Sequence, residues 1–165
     1  MIEYTIGFDM DKVLTNFEKA YNEQYREDQQ FPQAGARFFD ELEPIKCENN
    51  SRFEFNYDYI KHLESFGHNV YIVTAPSIPN LNCWTGKAVW IKKYLGEEYL
   101  KKTVMTYDKA VCSKYMDILI DDSIENGQLS FGEGLITYGS SKYNNMQKAY
   151  DQITEWSLEN KKFNE

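Results

Sequence analysis

Five short runs of β-forming residues alternate with stretches of helical periodicity, and this alternation constrains the fold of the chain more than any other feature. Residues 2 to 8 alternate polar and apolar and stop at Asp9-Met10-Asp11. Val70 to Val73 form a second run ending at Thr74, Thr103 to Thr106 a third, Met116 to Ile120 a fourth ending at Asp121-Asp122, and Leu135 to Tyr138 a fifth. Between them, apolar residues recur every three or four positions. One such series is Phe17, Ala20 and Tyr21; a second is Phe55, Tyr59, Leu63 and Phe66, closed by Gly67. The others are Ala88, Ile91, Tyr94 and Leu95, closed by Gly96, and Met146, Ala149, Tyr150, Ile153 and Trp156. Strands that alternate with helices imply right-handed crossovers, a mainly parallel sheet and a three-layer α/β sandwich. In such a sheet ligands gather at the carboxyl ends of the strands, where strand order switches.

The chain has 165 residues, a length that suits one domain around one core. The irregular stretch from about residue 18 to 50 is the one candidate for a small cap. Eighteen Lys plus Arg stand against 26 Asp plus Glu, a net charge of -8 that repels polyphosphate backbones and argues against long nucleic acid as a partner. The longest apolar runs are about five residues, against roughly 20 for a membrane helix. Met1 leads directly into the first strand-like run, so a cytoplasmic protein without a membrane partner is expected. Cys47, Cys83 and Cys112 are odd in number and form no CxxC pair, which points to reduced thiols rather than a disulfide or zinc framework.

The strand ends carry the chemistry. Asp9 and Asp11 follow the first strand, Thr74 the second, and Asp121 and Asp122 the fourth, while Lys109 lies just beyond the third. Two carboxylate pairs brought to neighbouring strand ends repel each other and are driven towards protonation unless a cation joins them. An all-oxygen ligand set with room for water and a phosphate oxygen suits Mg²⁺ better than zinc or a caged Ca²⁺. The first aspartate can then attack phosphorus, and the second can protonate the leaving oxygen and later deprotonate water. Thr74, Lys109 and the backbone N–H groups of residues 10 to 13 can hold phosphate oxygens.

The segment Ile6-Gly-Phe-Asp9-Met-Asp11-Lys-Val-Leu-Thr-Asn-Phe17 resembles the first motif of the haloacid dehalogenase-like phosphohydrolases, in the wording of the 5'(3')-deoxyribonucleotidases. Phe38 to Ile45, Tyr71-Ile-Val-Thr74-Ala-Pro, Trp90 to Gly96, Asp108-Lys109-Ala-Val and Asp117-Ile-Leu-Ile-Asp121-Asp122 follow in that family's order, over roughly residues 4 to 123. The resemblance implies a Rossmann-like sandwich with a reduced cap and a Mg²⁺-dependent nucleotidase that works through an aspartyl-phosphate. It makes Asp9 the nucleophile and Asp11 the general acid and base, with Thr74 and Lys109 on the phosphate. It assigns the metal to Asp9, the backbone carbonyl of Asp11, and Asp122, with Asp121 behind them or acting through water. Phe17 corresponds to a position lining the nucleoside pocket and Lys87 to a further phosphate contact. Three positions depart from the pattern: Lys12 stands where Gly is usual, Ala75 where Ser is frequent and Ser123 where a basic residue is frequent. The short cap also leaves room for a second copy of the chain, a homodimer, to complete the pocket.

Other readings compete at single positions. An aspartate after a strand is commonly a turn former or cap, and four motifs in order are what favour catalysis here. Phe17 fits an apolar helical stripe as well as a pocket, and Trp84 fits surface packing as well as a substrate cover. His62 and His68 lie near a helix C-terminus, where the dipole favours a cation, and Cys112 reads as a buried thiol. The same site could serve another small phosphomonoester, such as a sugar phosphate, or a non-catalytic nucleotide-binding module.

Overall fold

The computed structural model describes residues 1–24, 36–48, 51–78 and 80–163; the remainder of the expected cap, residues 25–35 and 49–50, lies outside the described residues. Strand β1 (Thr5–Phe8) is central in a parallel sheet completed by β2 (Asn69–Thr74), β3 (Thr103–Met105), β4 (Ile118–Asp121) and β5 (Leu135–Thr137). The spatial order is β3-β2-β1-β4-β5, with Ile6 opposite both Val70 and Ile118. The chain builds outward from β1 to β3 and then returns to lay β4 on the other side of β1. Strand order therefore switches between β1 and β4, and Asp9 and Asp121 stand at that switch.

Helices α1 (Phe17–Gln24) and α2 (Ala36–Glu41) follow β1, α3 (Asp58–Ser65) precedes β2, α4 (Asn82–Tyr94) joins β2 to β3, and α5 (Met146–Glu159) closes the chain. Alternate residues of a strand point to opposite faces. Ile6, Phe8, Val70, Ile72, Ile118 and Ile120 enter the larger core with Tyr59, Leu63, Trp90 and Ile153 from the helices. Val73 and Leu119 enter a smaller one with Cys112, Met116 and Phe131. Gly7 sits over this smaller core because a Cβ there would meet Val73 Cγ2 at 3.0 Å and Leu119 Cδ1 at 3.1 Å. This second layer is built from 3₁₀ segments, Lys109–Lys114 and Gln128–Gly134, which the sequence reading did not anticipate. Their three-residue turns leave no 3.6-residue apolar repeat to read.

Burial bears on both histidines in the direction opposite to the cation favoured near a helix C-terminus. His68 Nδ1 accepts the Tyr4 N–H at 3.1 Å, and burial lowers its pKa. His62 lies among the rings of Phe53, Phe66 and Tyr150, and burial again favours its neutral form. Desolvation is the largest influence at both positions.

The cap helices are tied to α4. Phe17 stacks on Tyr21 and meets Phe38 edge-on at 5.5 Å, while Phe38 meets Phe39 at 5.4 Å. Trp90 Nε1 donates to the Leu42 carbonyl at 2.9 Å. Phe39 lies so close to α4 that a Cβ at Gly86 would stand 2.4 Å from its ring. Ala is ordinarily the better helix residue by roughly 1 kcal/mol, yet here overpacking opposes it at about 1–3 kcal/mol. We expect Gly86→Ala to lower the melting temperature and Phe39→Leu in the same chain to restore part of the loss; an unchanged or raised melting temperature in Gly86→Ala would show that the α2–α4 contact yields freely.

Candidate active site

Asp9 leaves β1 with its backbone N–H bound to the Ile120 carbonyl at 2.8 Å, which fixes it beside the end of β4. Only 6% of Asp9 is exposed, and its Oδ1 accepts from Lys109 Nζ at 2.7 Å. The same ammonium donates to Asp121 Oδ2 at 2.5 Å, so Lys109 bridges the ends of two adjacent strands from a fully buried position. Its own backbone is fixed by a hydrogen bond to the Asn126 carbonyl at 2.7 Å, and Asp108 caps the 3₁₀ turn by accepting from the Ala110 N–H.

A second lysine mirrors the first. Lys87, from the first half of α4, is 1% exposed and donates to Asp11 Oδ2 at 2.5 Å and Thr74 Oγ1 at 2.7 Å. The helix α4 begins at Asn82, ahead of its periodic apolar residues, and Lys87 is among its buried positions. Gln128, absent from the sequence reading, is fully buried and donates to Asp121 Oδ1 at 3.2 Å, which also accepts the Ser123 N–H. It lies in an aperiodic stretch after Gly127, where no sequence pattern separates a buried glutamine from a loop residue.

The structure thus brings together Asp9, Asp11, Thr74, Lys87, Lys109, Asp121 and Asp122. Phe17 takes part in the aromatic packing at 6% exposure, Trp84 stands 39% exposed on α4, and Cys112 is buried. Carboxylate oxygens of Asp9, Asp121 and Asp122 lie within 4.8 Å of one another. The Asp11 carboxylate belongs with Lys87 instead, and its Oδ1 is buried without a partner among the described residues.

Four carboxylates therefore face two buried ammonium groups, with a third lysine, Lys12, at the rim 3.7 Å from Asp122. The imbalance shows in their titration. Burial and the neighbouring Asp9 charge push Asp121 up to about 6, against the opposing pull of Lys109. Burial and Asp9 also raise Asp122, and burial raises Asp11 although Lys87 opposes it. Burial disfavours the Lys109 cation, but Asp9 and Asp121 overcome this and raise its pKa. A hard divalent ion fits this surplus of convergent carboxylate oxygen.

One pH prediction follows. The ordinary pKa of Asp121 is 3.8 and the folded value is about 6, so the folded state binds more protons across that interval. This contribution to stability is complete below about pH 4 and is lost as pH rises through about 6. We expect the metal-free protein to lose this increment between those limits. Added Mg²⁺ should raise the melting temperature at pH 7.5 and have little effect at pH 5; an equal effect at both would detach metal binding from these carboxylates.

No family model matches the chain. A protein of Acanthamoeba polyphaga mimivirus, provisionally named 5'(3')-deoxyribonucleotidase, is 33% identical over 128 residues, covering 75% of this chain and 52% of its own length. The Homo sapiens mitochondrial 5'(3')-deoxyribonucleotidase is 35% identical over 86 residues, 52% of this chain and 33% of its own. A Bordetella pertussis protein with the same provisional name is 23% identical over 147 residues, covering 71% of this chain and 73% of its own. The chain spans about half the length of the first of these relatives and a third of the second. The crystal structure of a class C acid phosphatase from Bacillus anthracis with tungstate bound has a similar fold, with a TM-score of 0.54, 13% identity, and coverage of 95% of this chain and 65% of that one. Among the described residues, no helix is long and apolar enough to cross a membrane.

Proposed function

The chain belongs to the 5'(3')-deoxyribonucleotidase family of haloacid dehalogenase-like phosphohydrolases, and on that premise we propose that it hydrolyses the phosphomonoester of a nucleoside monophosphate, in the first instance a deoxyribonucleotide. The observation that carries this reading is the buried Asp9 carboxylate, with Lys109 Nζ 2.7 Å from its Oδ1 and the Asp121 and Asp122 carboxylates beside it. An Asp9 oxygen attacks phosphorus as the ester bond to the leaving oxygen breaks, giving an aspartyl-phosphate. Asp11, raised by burial and so biased towards its protonated form, gives its proton to the leaving alkoxide. The Asp11 carboxylate then takes a proton from water, which attacks the phosphoryl group, releases phosphate and returns Asp9.

Lys87, Lys109 and Thr74 meet the oxygens on which charge gathers during transfer, preorganised by the hydrogen bonds they already make. Asp9, Asp122 and the Asp11 backbone carbonyl, with Asp121 behind them, would hold Mg²⁺, which would supply Lewis-acid stabilisation there. Phe17, which lines a cavity beside Lys12, is the aromatic candidate for contact with the nucleoside.

The test is phosphate release, with and without Mg²⁺, from ribo- and deoxyribonucleoside 5'- and 3'-monophosphates and from sugar phosphates. We expect release from deoxyribonucleotides that depends on Mg²⁺. Release from sugar phosphates alone would keep the chemistry and replace the substrate, and nucleotide binding without release would replace the enzyme by a binding module.

A further inference from the structure

We propose that Gln128 is a positioning residue of the reaction centre, an amide that locks Asp121 and through it sets Lys109 and the carboxylates beside Asp9. The inference rests on the phosphatase reading above and adds a residue to the machinery of that site. Gln128 opens the 3₁₀ segment Gln128–Gly134 and is fully buried. Its Oε1 accepts the Asn126 N–H at 2.6 Å, and its Nε2 donates to Asp121 Oδ1 at 3.2 Å. A backbone N–H can only donate, so the amide oxygen must face Asn126 and the NH₂ group must face the carboxylate. Glutamate would meet Asn126 equally well but turn an oxygen on Asp121, and methionine would meet neither.

These bonds close a ring. The Asn126 carbonyl accepts the Lys109 N–H at 2.7 Å, and Lys109 Nζ donates to Asp121 Oδ2 at 2.5 Å. The path from Asp121 Oδ1 through Gln128, Asn126 and Lys109 therefore returns to the other oxygen of the same carboxylate. The Ser123 N–H adds a second donor to Oδ1 at 3.0 Å. Gly127 permits the closure. Its φ is +86°, and a Cβ there would stand 2.7 Å from the Ala110 nitrogen, so residues 126–128 lie directly on the turn that Lys109 opens.

A buried glutamine with a purely structural part needs only that both its ends be satisfied, and backbone groups can do that. This one directs its donor to a carboxylate whose other oxygen holds the ammonium that touches Asp9 at 2.7 Å. Held at both oxygens, the Asp121 carboxylate cannot rotate, and Lys109 Nζ stays between β1 and β4. Two of its three donors are engaged among the described residues, and the third remains for a phosphoryl oxygen. Asp121 is kept by the same restraint beside Asp9 and Asp122, with carboxylate oxygens within 4.8 Å of one another. Donors fixed before the reaction need no reorganisation as charge develops. Partners that orient the carboxylates of a metal site contribute about 10–100-fold in metal affinity or activity.

The experiment measures kcat and KM for the phosphomonoester that the parent chain hydrolyses fastest, Mg²⁺ affinity by calorimetry without substrate, and melting temperature, in the parent chain, Gln128→Met and Gln128→Glu. Ile153→Val, in the larger core on α5, serves as the control for a general loss of stability. The expected result is a kcat lower by roughly tenfold or more in both Gln128 variants, with KM within about threefold and Mg²⁺ bound about tenfold more weakly. Ile153→Val should melt lower with kcat unchanged within about twofold. A kcat within about twofold of the parent in Gln128→Met, or a loss that Ile153→Val reproduces, would make Gln128 a structural residue and overturn the proposal while leaving the phosphatase reading standing. Failure of both Gln128 variants to fold would overturn it in the same way. If the parent chain hydrolyses no phosphomonoester, the phosphatase reading fails and the calorimetry decides: Mg²⁺ affinity about tenfold weaker in Gln128→Met supports the positioning role, and unchanged or absent binding in both chains overturns it.

Discussion

Asp9→Asn is expected to reduce phosphate release by a factor on the order of 10⁵, because on the proposed mechanism it removes the covalent nucleophile and leaves only the residual catalysis of positioning and charge stabilisation. The amide keeps the size of the side chain and can still accept from Lys109. It also removes one charge from a cluster in which Asp9 is the carboxylate that raises both Asp121 and Asp122. The variant should therefore melt no lower than the parent in the absence of metal, and Asp121 should titrate closer to an ordinary aspartate. Phosphate release measured beside a melting curve separates the two effects. Magnesium-dependent turnover retained within about tenfold would remove Asp9 from the nucleophile's role and leave the cluster as a binding site.

Lys109→Met should produce the largest loss of stability. The ammonium is 2% exposed and joins Asp9 to Asp121, themselves 6% and 1% exposed, across β1 and β4, where strand order switches. Removing one partner of a buried ion network leaves uncompensated charge, at a cost of about 3–5 kcal/mol. Methionine fills most of the volume, so the loss measures charge rather than a cavity. The deficit should depend on pH in a direction set by Asp121. With its folded pKa already at about 6 and the lowering influence of Lys109 gone, a proton can replace the missing cation in acid. The loss should be greatest above about pH 7, shrink towards pH 5, and shrink at high pH when a divalent cation is added. Urea denaturation at both pH values, with chelator and with Mg²⁺, tests this. A deficit under about 1 kcal/mol in chelator at pH 8 would mean that solvent already screens the cluster.

The alternation of strands and helices was legible because burial imposes two distinct apolar repeats, and both are strong here. The runs at Val70 to Val73 and Met116 to Ile120 correspond to strands of Asn69–Thr74 and Ile118–Asp121, and the apolar stripe of Met146 to Trp156 to a helix of Met146–Glu159. Asp9 and Asp121 were legible for a related reason: an acid that ends an apolar strand must leave the core at the sheet's carboxyl edge. Lys87 entered only as a family correspondence, since a lysine on α4 carries no local mark of burial. Gln128 entered not at all. Both depend on what faces them across the fold: Asp11 and Thr74 for Lys87, at separations of 76 and 13 residues, and Asp121 for Gln128.

Local periodicity and strand-end polarity are written into neighbouring positions, and they are enough to specify the parallel sheet and the residues that gather at its carboxyl edge. Which carboxylate meets which lysine depends instead on how distant segments pack. Asp11 turns to Lys87 and away from the Asp9, Asp121 and Asp122 group, while Lys109 binds two strands at once. Those pairings follow from distances between segments far apart in the chain. In a buried site of low dielectric, Coulomb energy changes steeply over a few ångströms, so the charge balance appears only once the strands are in register.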